Sequence, residues 1–260
     1  MNNIKLVILA GGYGTRFSEE TNLKPKPMIE IGGKPILWHI MKIYSFYGIN
    51  EFIVCCGHKG QLIKEYFHNY ALNSSDLVIN LKNNNLELKN KNYDPWKITL
   101  VDTGEDTMTC GRIKRIKNLI KNEKFFCVTY GDGLSNVNIN KLIKFHLTQK
   151  KLATLTACFP PPRFGAIKIN NNFSVSSFKE KARETNSFVN GGFFVLSPEV
   201  IKLIKNDKTK WEEYPLKKLS EINQLVAFKH TDFWQPMDTI NDRKKLEDLW
   251  LLKNCPWRIW

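Results

Sequence analysis

Apolar positions along the chain switch between two periods. Residues 4–10, IKLVILA, form an unbroken apolar run rich in β-branched side chains, which predicts a strand buried on both faces. A polar, glycine-rich stretch follows to about residue 34. From Pro35 the spacing is helical, with Ile36, Leu37, Ile40, Met41, Ile43 and Tyr44 on the apolar side and Gly48 as the stop. Glu51 to Cys56 reads as the next strand. Residues 61–71 read as a helix carrying Leu62, Ile63, Tyr66, Phe67 and Tyr70 on one side. The Asn-rich stretch 73–97 is irregular, a hairpin or an excursion. Ile98 to Asp102 predicts a short strand, 111–121 a helix with a stripe of Ile113, Ile116, Leu119 and Ile120, and Phe125 to Tyr130 a buried strand. A helix near 138–149 and a strand at 153–159 continue the series. Beyond them, 166–178 reads as a short hairpin, 192–197 as a strand, and 211–222 and 239–252 as helices.

Strands alternating with amphipathic helices imply an α/β fold: an open, mostly parallel sheet flanked by helices on both faces. The sequence shows no internal repeat, low-complexity tract or linker, so one continuous domain over 1–260 is expected. In an open parallel sheet, ligands bind beyond the carboxyl ends of the strands. The segments that follow the predicted strands are therefore where chemistry is expected.

Composition excludes several classes. With 260 residues, 42% hydrophobic and 25% charged, the chain is neither disordered nor fibrous. No apolar run approaches the ~20 residues of a membrane span. The run at 4–10 is followed by GGYGTR rather than a small-residue cleavage site, so it does not read as a secretory signal. A soluble cytoplasmic protein without membrane insertion is expected. The 39 basic and 25 acidic residues leave a net charge of +14, which suits a polyanionic partner such as nucleic acid, an anionic membrane or phosphorylated small molecules. The joint richness in Lys, Asn and Ile also fits codon drift, so only basic residues beside a motif count as functional. The cysteines, at 55, 56, 110, 127, 158 and 255, form no metal-binding spacing. Cys55 and Cys56 are neighbours in a predicted strand and point to opposite faces. Buried free thiols in a reducing compartment are expected.

Four segments carry candidate chemistry. In Leu9-Ala10-Gly11-Gly12-Tyr13-Gly14-Thr15-Arg16, glycines directly after a buried strand let the backbone approach a ligand, and their N–H groups can face an anion. No Gly-Lys-Ser/Thr ends the loop, and Phe17 stands where a dinucleotide fingerprint needs a third glycine. A plain tight turn is the alternative, and Arg16 favours the ligand reading. In Lys24-Pro25-Lys26-Pro27-Met28, the prolines impose extended geometry and both lysines are expected on the same side. A solvated surface loop is the alternative there. Gly131-Asp132-Gly133 follows a buried strand, where a carboxylate can hold Mg²⁺ with room for phosphate oxygens. Asp-Gly is also a hairpin signal, which the helical pattern beyond it weakens. Asp238, in Trp234-Gln235-Pro236-Met237-Asp238-Thr239, reads as a second metal ligand or as a helix cap. Arg16, Lys26, Asp132 and Asp238 together form the set needed to bring two phosphorylated substrates together against their repulsion. No Ser-His-Asp or Cys-His arrangement stands out, and His39, on the helix from Pro35, reads as structural.

The series LAGGYGTR, KPKPM, YGDG, EK with NGGFF, and WQPMDT resembles the sugar nucleotidyltransferase family, in order and spacing, over essentially the whole chain. VILAGGYGTRFSEET, TLVDTGEDTMTCGRIKR, RFGAI and FWQPMDT are similar to the branch that transfers CMP from CTP to α-D-glucose 1-phosphate, giving CDP-glucose and pyrophosphate. The resemblance implies a Rossmann-like nucleotide-binding core mainly in 1–150, a smaller sugar-binding portion mainly in 151–240 and a C-terminal helix at 239–252. It implies that Leu9, Ala10, Gly11 and Gly12 contact base and ribose through the backbone. Gly14, Thr15 and Arg16 would hold the triphosphate. Lys26 would bridge phosphates at the reacting centre, making Arg16 and Lys26 the catalytic pair. Thr107, Arg112 and Gly131 are implied as further nucleotide contacts, Asp132 and Asp238 as Mg²⁺ ligands, and Glu180, Lys181 and Asn190 as sugar-phosphate contacts. Homo-oligomers are usual in the family.

Three positions depart from the family pattern: Ala182 follows Glu180-Lys181 in place of proline, Pro162 precedes Arg163-Phe164-Gly165 in place of glycine, and Cys110 precedes Gly111-Arg112 in place of glycine. They put base or sugar preference in doubt and leave the catalytic set intact. The alternatives are a related enzyme for another nucleotide or phosphorylated acceptor, a non-catalytic sugar-nucleotide sensor, and a nucleic-acid binder using Arg112, Lys114, Arg115, Lys117, Lys121 and Lys124. The sensor reading expects a lost catalytic residue, and all are present. The helical basic run reads as a solvated face without aromatic stacking partners, so no nucleic-acid partner is expected.

Overall fold

The computed structural model describes residues 4–15, 23–161, 166–169, 174–179, 187–253 and 255–260. Seven strands form its central sheet: β1 Lys5–Ala10, β2 Glu51–Cys56, β3 Lys97–Asp102, β4 Phe126–Tyr130, β5 Ala153–Cys158, β6 Val189–Leu196 and β7 Leu225–His230. Their spatial order is β7-β5-β6-β4-β1-β2-β3. β1 runs parallel to β2 and β4, β2 to β3, and β5 to β7. Only β6 among these runs the other way, between β4 and β5.

The apolar run that starts the chain divides its side chains between two cores, as a strand's alternation requires. Leu6, Ile8 and Ala10 pack on one face with α1, Ile36–Phe46. Val7 and Leu9 pack on the other with Cys110 and Ile113 of a helix that spans Thr109–Arg115. Cys55 and Cys56 fall in opposite cores, as their adjacency predicts. The other helices are α2 Gly60–His68, α3 Thr109–Arg115, α4 Ile139–Gln149, α5 Tyr214–Glu221 and α6 Ile240–Leu251, with helical turns at Tyr70–Asn73 and Lys117–Ile120. Gly48, at φ +83, ends α1 where the sequence places a stop. No described helix is long and apolar enough to cross a membrane.

Several expectations change. The helix expected over 111–121 starts at Thr109 and breaks at Ile116 into two pieces. The irregular stretch 73–97 holds an exposed hairpin, Asp76–Asn80 with Asn85–Lys89. Strand β7 has no counterpart in the sequence reading. Its LVAFKH segment sits at the sheet edge, half-buried or exposed at most positions, so it lacks the apolar run that marks an interior strand. Gly131-Asp132-Gly133 does lead into a strand, the short Gly133–Ser135, which pairs antiparallel with Trp234–Pro236. The helix expected near 138 begins only after it.

Candidate active site

A cleft of about 560 Å³ opens beyond the carboxyl ends of β1 and β4. The glycine-rich segment after β1 forms one wall, with Leu9, Ala10, Gly11, Gly12, Gly14 and Thr15 all lining it. Thr107, Arg112, Lys26, Gly131, Asp132, Asp238 and Asn190 line the rest of it. Twelve sequence-named positions besides Asn190 thus converge on one cavity from segments far apart in the chain. Arg16, Glu180 and Lys181, and the departures at Pro162 and Ala182, lie outside the described residues.

Lys26 is the centre of this arrangement. Pro25 and Pro27 bend the chain into a single 3₁₀ turn, Lys26–Met28, so the two lysines do not share a side as extended geometry predicts. Lys24 pairs with Glu30 at the surface. Lys26 turns inward, 8% exposed, and its Nζ donates to Asp132 Oδ2 at 2.7 Å and Asp238 Oδ1 at 2.8 Å. Burial by itself would lower the lysine's pKa, but the two carboxylates outweigh it and hold the ammonium above its ordinary value. The surface-loop alternative does not apply to Lys26.

The pairing of the aspartates follows from the short strand pair. Pro236 stands opposite Gly133, and the Met237 N–H donates to the Asp132 carbonyl at 2.8 Å, which sets Asp238 across from Asp132. Thr239, rather than Asp238, caps α6: its hydroxyl accepts from Asp242 N, and the Asp242 carboxylate accepts from the Thr239 N–H. The same carboxylate accepts from the Asp238 N–H at 3.1 Å. The capping box therefore fixes the backbone of Asp238 and leaves its side chain for the cleft.

Arg112 is 3% exposed. Its guanidinium donates to the carbonyls of Cys56, Gly104, Gly11 and Glu105 and to Thr103 Oγ1, at 2.7–3.2 Å. All five acceptors are neutral oxygens. Burial lowers its pKa from the ordinary arginine value, yet a guanidinium stays charged. The side chain therefore staples the glycine loop, the end of β2 and the 103–105 segment together and supplies positive potential to the cleft. A Cβ at Gly11 would lie 2.2 Å from Arg112 Nη1, so only glycine admits that close approach.

Sequence reasoning missed Tyr130 and Glu212, which also line the cleft and are hydrogen-bonded to each other. Tyr130 stood in the quoted YGDG without a role, and Glu212 lay in a segment read only as a helix. The cysteines match expectation: all six are free and five are buried. Burial pushes the Cys127 and Cys158 thiols up to about 12, which keeps them protonated and unreactive. None of the five histidines lines the cleft. His39 is buried, as its place on α1 predicts.

A mostly parallel α/β sheet that gathers a glycine loop, a buried lysine and facing aspartates at its carboxyl edge defines a protein that handles phosphorylated ligands. The chain belongs to the nucleotidyl transferase family, whose model matches residues 5–245. It is 54% identical, over 99% of its length and 100% of the relative, to glucose-1-phosphate cytidylyltransferase of Salmonella typhimurium. A probable glucose-1-phosphate cytidylyltransferase of Bacillus subtilis is 42% identical over 99% of this chain and all of its own. Among solved structures, HddC from Yersinia pseudotuberculosis is similar with a TM-score of 0.68 at 24% identity, covering 95% of this chain and 100% of that one. UDP-glucose pyrophosphorylase complexed with UDP-glucose gives 0.67 at 16% identity, covering 96% and 99%. At such identities these two likenesses establish the fold alone.

Proposed function

We propose that this chain transfers CMP from CTP to α-D-glucose 1-phosphate, forming CDP-glucose and releasing pyrophosphate. The observation that carries the reading is the bridge from Lys26 to Asp132 and Asp238 in the cleft. It stands in a chain 54% identical along its length to a relative named for that activity.

A divalent ion, which we read as Mg²⁺, would be held by Asp132 and Asp238. The donor set fits: an oxygen from each carboxylate already converges on one cationic atom, and carboxylate oxygens suit a hard ion. Among the described residues no group of three His, Cys, Asp or Glu side chains gathers to hold a metal, so ligand oxygens would complete the shell. When bound, such an ion draws charge from phosphate oxygens. The protein's own groups do the rest. The backbone of Leu9 to Gly12 would contact base and ribose and that of Gly14 and Thr15 the triphosphate, Arg112 holds that wall and its positive potential in place, and Lys26 would lie beside the reacting phosphates. Arg16 would stabilise the departing pyrophosphate.

In the reaction a phosphate oxygen of glucose 1-phosphate attacks the α-phosphorus of CTP. The new O–P bond forms as the bond from the α-phosphorus to the bridging oxygen breaks, and pyrophosphate carries away that electron pair. The attacking oxygen is already ionised at neutral pH, since a second phosphate pKa is about 6. No general base is required, and no histidine stands in the cleft to act as one. Catalysis rests on positioning and charge stabilisation.

The test is pyrophosphate release across a panel of nucleoside triphosphates and sugar 1-phosphates. CTP with glucose 1-phosphate should turn over fastest. An inert CTP pair beside an active UTP, dTTP or GTP pair would give the assignment to a relative of different specificity. We also read the enzyme as a cytoplasmic homo-oligomer. Supporting self-association, the hairpin at 76–89 exposes Leu77, Val78, Ile79 and Leu86. A light-scattering mass of 30.2 kDa, that of one chain, would overturn it.

A further inference from the structure

The carboxylate of Glu212 stands in the cleft with its direction set by two hydroxyls. Tyr130 Oη donates to Oε1 at 2.5 Å and Thr109 Oγ1 to Oε2 at 3.1 Å. Each hydroxyl is fixed in turn. Thr109 Oγ1 accepts from the Trp211 N–H at 2.7 Å. Asn190 Nδ2 donates to Tyr130 Oη at 3.3 Å, while Asn190 Oδ1 accepts from the Gly192 N–H at 3.0 Å. Trp211 is wholly buried and anchors the segment that carries Glu212. A carboxylate has about four acceptor positions, and the two hydroxyls take two of them.

The place of this network in the sheet says which ligand it meets. Along the carboxyl edge the order is β6-β4-β1-β2. The glycine loop follows β1, and Arg112 ties it to the end of β2. Asp132 follows β4. Tyr130 ends β4, the strand that Asp132 follows, and Asn190 lies in β6, two strands from β1 and its glycine loop. A fixed carboxylate there repels phosphate and accepts from hydroxyl groups, and with the nucleotide's ribose read on the glycine loop after β1, the hydroxyls left to reach it are those of the sugar ring.

We propose that Glu212 is a specificity-determining residue whose carboxylate accepts a hydrogen bond from a hydroxyl of the sugar 1-phosphate, with Tyr130, Thr109 and Asn190 as positioning residues that hold it in place. This rests on the reading of the chain as a sugar-phosphate nucleotidyltransferase.

The experiment is steady-state kinetics of Glu212→Ala, Glu212→Gln and Tyr130→Phe, varying each substrate in turn, with deoxy analogues of the sugar phosphate alongside. Charge-assisted hydrogen bonds are the stronger ones, so Glu212→Ala should raise KM for the sugar phosphate about tenfold to a hundredfold. KM for the nucleotide should stay within about twofold. One deoxy analogue should lose a similar factor with the wild-type enzyme and lose nothing further with Glu212→Ala. Tyr130→Phe, which keeps the carboxylate and removes its orienting donor, should show the same split to a smaller extent, so the proposal survives a misfolded Glu212 variant. Unchanged sugar KM in Glu212→Ala and Tyr130→Phe, or a rise in nucleotide KM instead, would overturn it. If wild-type enzyme ignores CTP with glucose 1-phosphate but uses another pair, the functional assignment fails, and the same split measured on that pair decides the role of Glu212.

Discussion

Lys24 and Lys26 sit two positions apart in the sequence and have different fates. One reaches Glu30 at the surface, and the other is buried between Asp132 and Asp238. A buried ammonium is tolerated only where charge and hydrogen bonds replace its hydration, and two carboxylates supply both. Lys26 was legible as a candidate from the prolines on either side of it, Asp132 because it follows a buried strand, and Asp238 because it precedes a helix. Their convergence was not legible, because it depends on contacts across 106 and 212 residues. Asp132→Ala tests the site at this scale. Removing a fixed electrostatic group from a reacting centre costs about a hundredfold or more in turnover. The Asp132 side chain is 31% exposed, so its loss should leave the fold intact. Near-normal turnover at saturating Mg²⁺, with an unchanged circular dichroism spectrum, would remove Asp132 from the proposed metal site.

Among elements, interior strands and amphipathic helices were the most readable. β1, β2 and β4 are continuous apolar runs, and α1 and α4 begin and end within a residue or two of the positions that periodicity assigns. The short pair Gly133–Ser135 with Trp234–Pro236 was not readable, since three residues carry no period. Yet that pair sets the two aspartates opposite each other. β6 was expected only from residue 192 and starts at Val189. Because it runs antiparallel to β5, its first residues lie at the carboxyl edge, with Val189 beside Cys158. That reversal brings Asn190 into the cleft. Strand direction is a tertiary property, and hydrophobic pattern does not encode it. The segment bearing Glu212 precedes α5, Tyr214–Glu221, although its residues read as helical. It is held instead by Trp211 in the core and by the Thr109 hydroxyl.

Across the whole molecule, the two ends of the chain are joined through α1. His39 is wholly buried and packed against Trp38, Trp250, Trp257 and Trp260. Its Nε2 lies 2.8 Å from the Ile31 carbonyl and Trp257 Nε1 lies 3.4 Å from its Nδ1. The ring is therefore a neutral tautomer with the proton on Nε2. Burial, partly offset by the carbonyls of Ile31 and Lys34, lowers its pKa to about 4. The unfolded chain takes up this proton near pH 6.5 and the folded chain only near pH 4. Stability from His39 is thus fully present above about pH 6.5 and is lost as the pH falls towards 4, by about 3 kcal/mol at ~1.4 kcal/mol per pH unit. Urea midpoints between pH 7 and 4.5 should fall more steeply for the wild type than for His39→Gln, which keeps an N–H donor and does not titrate. Parallel slopes would refute the assignment.

The sequence by itself determined the fold class, most of the elements, the opposite faces taken by Cys55 and Cys56, and the residue types of a candidate phosphate-handling site. Those properties follow from local periodicity, from backbone restrictions at glycine and proline, and from the valence of individual side chains. The tertiary structure alone decided that β6 runs against its neighbours, that Lys26 rather than Lys24 turns inward, and that Glu212 faces Tyr130. Each depends on which distant segments meet, and that is fixed when two apolar cores close on opposite faces of one sheet.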